Sequence, residues 1–156
     1  MSSHRPLPKL LSIILAAAFL TGCASVPEVV VTPEMQRDVK NFVDYRISNI
    51  TELERRLERT NTKEGYIAVL DFAGSSVRSV AARGKLLVAR HPALRETRTE
   101  NLPQPIRQEM ERATRFAEEK GYVFASLRAG VSRYGSHPSV MKALQRYVLV
   151  VRSIDQ

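Results

Sequence analysis

Between Pro33 and Asn61 the apolar residues recur at spacings of three and four, at Met35, Val39, Phe42, Val43, Ile47, Ile50, Leu53 and Leu57. That period draws a single apolar stripe along an α-helix. Arg37, Asp38, Lys40, Asp44, Arg46, Arg55 and Arg56 charge the opposite face. Thr32 stands where an N-cap is needed, with Pro33 at the first helical position and Glu34 in the first turn. Thr51-x-x-Glu54 has the form of a capping box, so a break near Ser48-Asn49 is expected to divide this helix in two. A second stripe, Ile106, Met110, Ala113, Phe116 and Ala117, predicts a helix over 106–120 with Gly121 as its C-terminal cap.

The remaining runs have a different texture. Tyr66-Ile67-Ala68-Val69-Leu70-Asp71-Phe72 is almost continuously apolar, which reads as a central strand buried on both faces. From Tyr122 to Tyr134, Val123, Ala125, Leu127, Ala129 and Val131 alternate with Phe124, Ser126, Arg128 and Ser132, which reads as a second strand. Gly135-Ser136-His137-Pro138 marks a turn, Val140–Leu144 a helical turn, and Gln145–Ile154 a last strand. The stretch 74–92 is compatible with a helix or a hairpin. The helix is preferred, with Gly84 inside it at a cost of about 1 kcal/mol. The fold class these elements predict is α+β: two main helices packed on a small, mostly antiparallel sheet of three to five strands. Residues 34–156 are expected to make one domain, with 93–104 as a polar loop.

The first 22 residues are patterned for export. Met1–Lys9 carries Arg5 and Lys9 and no acid, Leu10–Leu20 is apolar except for Ser12, and Thr21 and Gly22 are small. A basic start, a short apolar core and a small-residue end are the marks of a secretory signal. The apolar run is about 11 residues, against the roughly 20 that cross a bilayer. The chain's single cysteine, Cys23, follows directly. The run Leu20-Thr21-Gly22-Cys23 resembles the lipobox of bacterial lipoproteins. The resemblance implies cleavage before Cys23, diacylglycerol on its thiol and acylation (palmitate-type chains) of its new amine. Residues 23–33 then form a lipidated tether. Ala24, rather than Asp, follows the cysteine, which in that class favours the outer membrane, with the domain facing the periplasm. The resemblance covers residues 1–23 only. The run Ile67–Phe72 is also faintly similar to the first strand of the curli-secretion-channel family of outer-membrane lipoproteins, and nothing else in the chain matches that family.

Charge sharpens the picture. The formal net charge is +8, with 24 bases against 16 acids. The leader takes away Arg5 and Lys9 and no acid. Two segments carry bases alone. Phe72–Arg95 holds Arg78, Arg83, Lys85, Arg90 and Arg95. Lys120–Ile154 holds Arg128, Arg133, Lys142, Arg146 and Arg152 besides Lys120 itself. If the two adjoin, Arg78, Arg83, Arg90, Arg128, Arg133, Arg146 and Arg152 form one cationic surface for an anionic envelope component or an acidic protein. Nucleic acid is not expected as a partner in such a compartment.

The chemistry-bearing residues are few. The histidines after the leader are His91 and His137, each followed by proline. No Gly-x-Ser-x-Gly elbow, zinc-ligand spacing or phosphate-cradling glycine loop is present. No cofactor, metal or catalytic set is expected. The expected function is a non-enzymatic, outer-membrane-anchored periplasmic lipoprotein that binds through its basic surface. The alternative is a small envelope hydrolase using Asp71 with His91 or His137.

Overall fold

The computed structural model describes residues 30–97 and 101–154. Cys23 and the rest of the leader and tether before Val30 lie outside them. Six helices and no strand occur among the described residues: α1 Pro33–Glu58, α2 Lys63–Arg90, α3 Ala93–Glu96, α4 Gln104–Glu119, α5 Gly121–Tyr134 and α6 Pro138–Arg152. The α+β expectation is therefore corrected: all three predicted strands are helical, and the described residues form no sheet.

Each misread run has a physical explanation. Within Tyr66–Phe72, Tyr66, Val69 and Leu70 are buried together with Ala73, a helical i, i+3, i+4, i+7 set. Of the positions between them, Ile67 and Phe72 pack against the same core while Ala68 and Asp71 face out, so Asp71 is the one polar residue that marks the open side. A short apolar run has no period of its own that separates strand from helix. In α5 only Val123 and Leu127, four apart, are buried, whereas Ala125 and Ala129 of the apparent alternation are exposed. In α6 the buried pair is Val140 and Ala143, with Leu144 and Tyr147 packed against the same core. The likeness of Ile67–Phe72 to a curli-channel strand falls with the strand itself.

The helix starts follow the sequence closely. Thr32 Oγ1 accepts a hydrogen bond from the Met35 amide at 3.1 Å, and Pro33 occupies the first turn of α1. Thr62 does the same for α2, accepting from the Gly65 amide at 3.1 Å. The expected break at Ser48-Asn49 is absent. Thr51 bonds back to the Ile47 carbonyl at 3.1 Å, so its hydroxyl is used inside a continuous helix rather than as a cap. The preferred helical reading of 74–92 holds, since α2 runs on to Arg90. It ends at His91, whose backbone leaves the helical region ahead of Pro92. Gly121 does not cap α4. Lys120 alone separates α4 from α5, and Gly121 is the first residue of α5.

Side-chain pairs set the topology. Arg112 bonds Asp44 at 2.6 Å and Lys120 bonds Glu54 at 2.8 Å, so α4 runs parallel to α1 and α5 continues in the same direction. Gly74 of α2 faces the Tyr147 backbone and the Val150 side chain, while Asp71 pairs with Arg146, so α6 runs parallel to α2. Since α2 folds back on α1 through Arg59–Thr62, the main elements alternate in direction, with α4 and α5 as one broken third leg. There are two apolar clusters. Near the start of α1, Met35, Val39 and Val43 meet Leu87, Leu102, Ile106 and Ala113. Near its end, Leu53 meets Tyr66, Val69, Leu70 and Ala73 of α2, Val123 and Leu127 of α5, and Val140 and Ala143 of α6. A polar layer lies between the clusters. Tyr45 shares a hydrogen bond with Ser79 at 2.6 Å, Ser76 donates to Asn49 at 2.5 Å, and Arg83 stacks over the Tyr45 ring at 3.7 Å.

The shorter α6 covers α2 only on the Leu53–Tyr66 side. Tyr147 packs at the level of Gly74 and α6 runs on to Arg152, so it reaches about the level of Ser79 and leaves about 17 Å of α2, out to Arg90, without it. Leu86, in that stretch, is 60% exposed.

These environments predict the pH range of stability. Hydrogen bonds from Arg55 and Arg56 hold the Glu52 carboxyl down at about 2. His91 lowers Asp38, and Lys40 and Arg112 lower Asp44. Their contribution is complete above the ordinary carboxylate range and is lost as the pH falls through their lowered values. Burial pushes the Tyr66 hydroxyl up to about 12, so its contribution is complete below pH 10 and is lost as the pH rises toward 12. Urea midpoints measured against pH should be flat near neutrality and fall on both sides. Tyr66→Phe should flatten the alkaline limb; an unchanged alkaline slope in that variant would remove Tyr66 as its source.

Candidate binding surface

The seven arginines of the predicted cationic surface are spread along the length of the molecule. Arg128 and Arg133 lie on α5, and Arg146 and Arg152 on α6, at the end with the four-sided core. Arg83 and Arg90 lie toward the other end of α2, with Arg78 between the two sets near the level where α6 stops. All seven side chains are exposed.

The hairpin of α5 and α6 is acid-free throughout because the segment from Lys120 to Ile154 contains no Asp or Glu. Its buried residues, Val123, Leu127, Val140 and Ala143, turn inward, so its bases must point out. Two of those bases are occupied locally. Arg146 pairs with Asp71 at 2.8 Å, with both side chains half exposed, a geometry worth little in water. Arg133 lies over the Tyr134 ring at 5.3 Å. Arg128, Lys142 and Arg152 have no acidic partner among the described residues. Among them stand apolar side chains that periodicity alone would bury: Leu149 is 65% exposed and Met141 40%. A surface combining arginine and methionine with an apolar centre and no acid has the composition of a protein contact face. Sequence reading found its bases but missed its apolar members, because a strand reading of Tyr147–Val151 placed Leu149 in a sheet.

At the foot of this face, Lys120 and Tyr122 both reach Glu54, and Tyr122 Oη donates to Glu54 Oε1 in a very short contact. A cleft of about 290 Å³ opens beside it between the end of α1 and α5, floored by Tyr66 and Gly130 and rimmed by Glu54, Glu58 and Arg133.

The residues of the alternative hydrolase are not brought together. Asp71 lies mid-helix on Arg146. His91 is about 30 Å further along the same helix by its 20-residue separation. There its Nε2–H donates a hydrogen bond to Asp38 Oδ2 at 3.1 Å, and both side chains are nearly buried. That contact ties the end of α2 to the start of α1. His137 is exposed at the N-terminal boundary of α6, nine residues from the partner of Asp71. No group of three or more His, Cys, Asp or Glu side chains that could hold a metal ion occurs among the described residues. No described helix is long and apolar enough to cross a membrane.

Comparisons with protein-family models, with curated proteins and with solved structures found no match to this chain.

Proposed function

We propose that this chain is a lipid-anchored protein of the bacterial envelope, held in the outer membrane through Cys23, that binds an acidic protein partner through the outer face of α5 and α6. The observation that carries the reading is the acid-free hairpin, on which Arg128, Lys142 and Arg152 lack acidic partners among the described residues and which also exposes Met141 and Leu149. Arginine holds carboxylates in forked contacts, and the apolar centre supplies the non-directional part of the binding. The break at Lys120 matters to this arrangement. It starts α5 as a separate helix at Gly121, and α5 and α6 together carry the acid-free stretch and its bases.

The test is reversal of the three unpaired bases. Protein carrying Arg128→Glu, Lys142→Glu and Arg152→Glu, extracted in detergent, should retain at least tenfold less of an acidic protein that co-purifies with the parent chain. The control, Arg115→Glu on the exposed side of α4, should retain it fully. Equal retention by the triple variant and the parent would sink the assignment of this face.

A further inference from the structure

We infer that the exposed face of the C-terminal half of α2 rests on an anionic lipid surface. This rests on the lipid-anchored reading but concerns a face separate from α5–α6. Around the helix axis, Ala82, Leu86 and Ala89 form one exposed stripe, and each is exposed in the fold. Lys85 and Arg78 flank it on one side, Arg83 and Arg90 on the other, all exposed. The opposite side of the helix carries Leu87 into the core. An apolar centre edged on both sides by bases is the arrangement of helices that lie in the headgroup region of membranes. No acid interrupts it, since Phe72–Arg95 contains none. Asp38, the carboxylate that faces Arg90 at 3.7 Å, is held by His91 at 3.1 Å.

Two features of the fold say what covers this face. The first is that α6, level with Gly74 at Tyr147, ends at Arg152, short of Leu86, which is 60% exposed. The second is where the chain enters. Val31 packs into the cluster that contains Leu87, so the start of α1 and the end of α2 share one end of the molecule. Val30, just before it, is 76% exposed. Cys23 is seven residues earlier and can lie no more than about 25 Å from that point. A lipid at Cys23 therefore holds the Lys85–Arg90 end, not the hairpin end, within reach of headgroups. Bases near an anionic leaflet are attracted to it over about a Debye length. The α5–α6 hairpin, on the far half of α2, is left clear for a partner.

Cysteine labelling tests this directly. The full chain is made with Ala89→Cys on the proposed lipid face, or with Gln145→Cys on α6. The parent chain, whose only cysteine is Cys23, sets the background. Opened membrane fragments are treated with a membrane-impermeant maleimide before and after detergent. Ala89→Cys should label at least fivefold more slowly in membranes than in detergent, and this protection should shrink when Lys85→Glu and Arg78→Glu are added. Gln145→Cys should label within twofold of the same rate in both. Equal rates for Ala89→Cys in membranes and detergent would overturn the proposal, as would slow labelling in both, which would mean that protein covers the face. Labelling of the parent chain, or its release by a salt wash without detergent, would overturn the anchored reading itself. A chain that stays on the membrane and labels freely at position 89 overturns only the lipid-facing assignment.

Discussion

Tyr66→Ala should lower the stability of the fold by about 3–5 kcal/mol, the cost of emptying a fully buried aromatic site. Tyr66 is 1% exposed and belongs to the cluster joining α1, α2, α5 and α6. Its hydroxyl donates to the Leu127 carbonyl at 2.5 Å, and its ring lies 5.6 Å from that of Tyr134. The ring fits because position 130 has no side chain. A Cβ on Gly130 would fall inside it, 2.7 Å from both Cδ2 and Cζ. Gly130→Ala alone should therefore destabilise by about 1–3 kcal/mol through overpacking, less the gain of up to about 1 kcal/mol that alanine brings to a helix. With Tyr66 already truncated, the same alanine meets no ring and should be neutral or stabilising. Chemical denaturation of the two single variants and the double variant measures this coupling. Additive losses would show that the two positions do not share the space ascribed to them.

Cys23→Ser should abolish lipid labelling and move the chain from the membrane fraction to the soluble fraction at high salt. Each acyl chain contributes about 0.8 kcal/mol per buried methylene, and stable anchoring takes more than one chain. What remains without lipid is the basic face of α2, whose attraction is about 1 kcal/mol per base close to an anionic leaflet and is screened by salt. Partial retention at low salt and release at high salt is the expected signature. Continued incorporation of fatty acid by the Cys23→Ser chain would exclude Cys23 as the acceptor. Fractionation and radiolabelled palmitate supply both readouts.

The helices α1 and α4 were legible because each has one wet face, and a stripe such as Val39, Val43 and Leu53 shows its period only against polar neighbours. The middle of α2 and the α5–α6 hairpin were not. Around Val69 and Leu70 the partly buried Ile67 and Phe72 widen the apolar face and the exposed Ala68 is itself apolar, so Asp71 alone breaks the run. In α5, the small residues Ala125 and Ala129 imitate a strand's alternation while sitting on an exposed helical face. The candidate surface was half legible. Its bases can be counted in one sequence, but that Arg146 is taken by Asp71, 75 positions away, while Arg128 and Arg152 are not, depends on packing.

The sequence by itself determined what depends on near neighbours along the chain: the cap at Thr32, the stripe of α1, and the two stretches without acids. These follow from contacts within a few residues, which a linear pattern records. Only the tertiary structure decided that the apolar runs are helices and that α6 lies parallel to α2 and ends short of it. A widened apolar face erases the period that distinguishes helix from strand, and the meeting of Asp71 with Arg146 or Tyr66 with Gly130 is set by which helices share a core rather than by spacing.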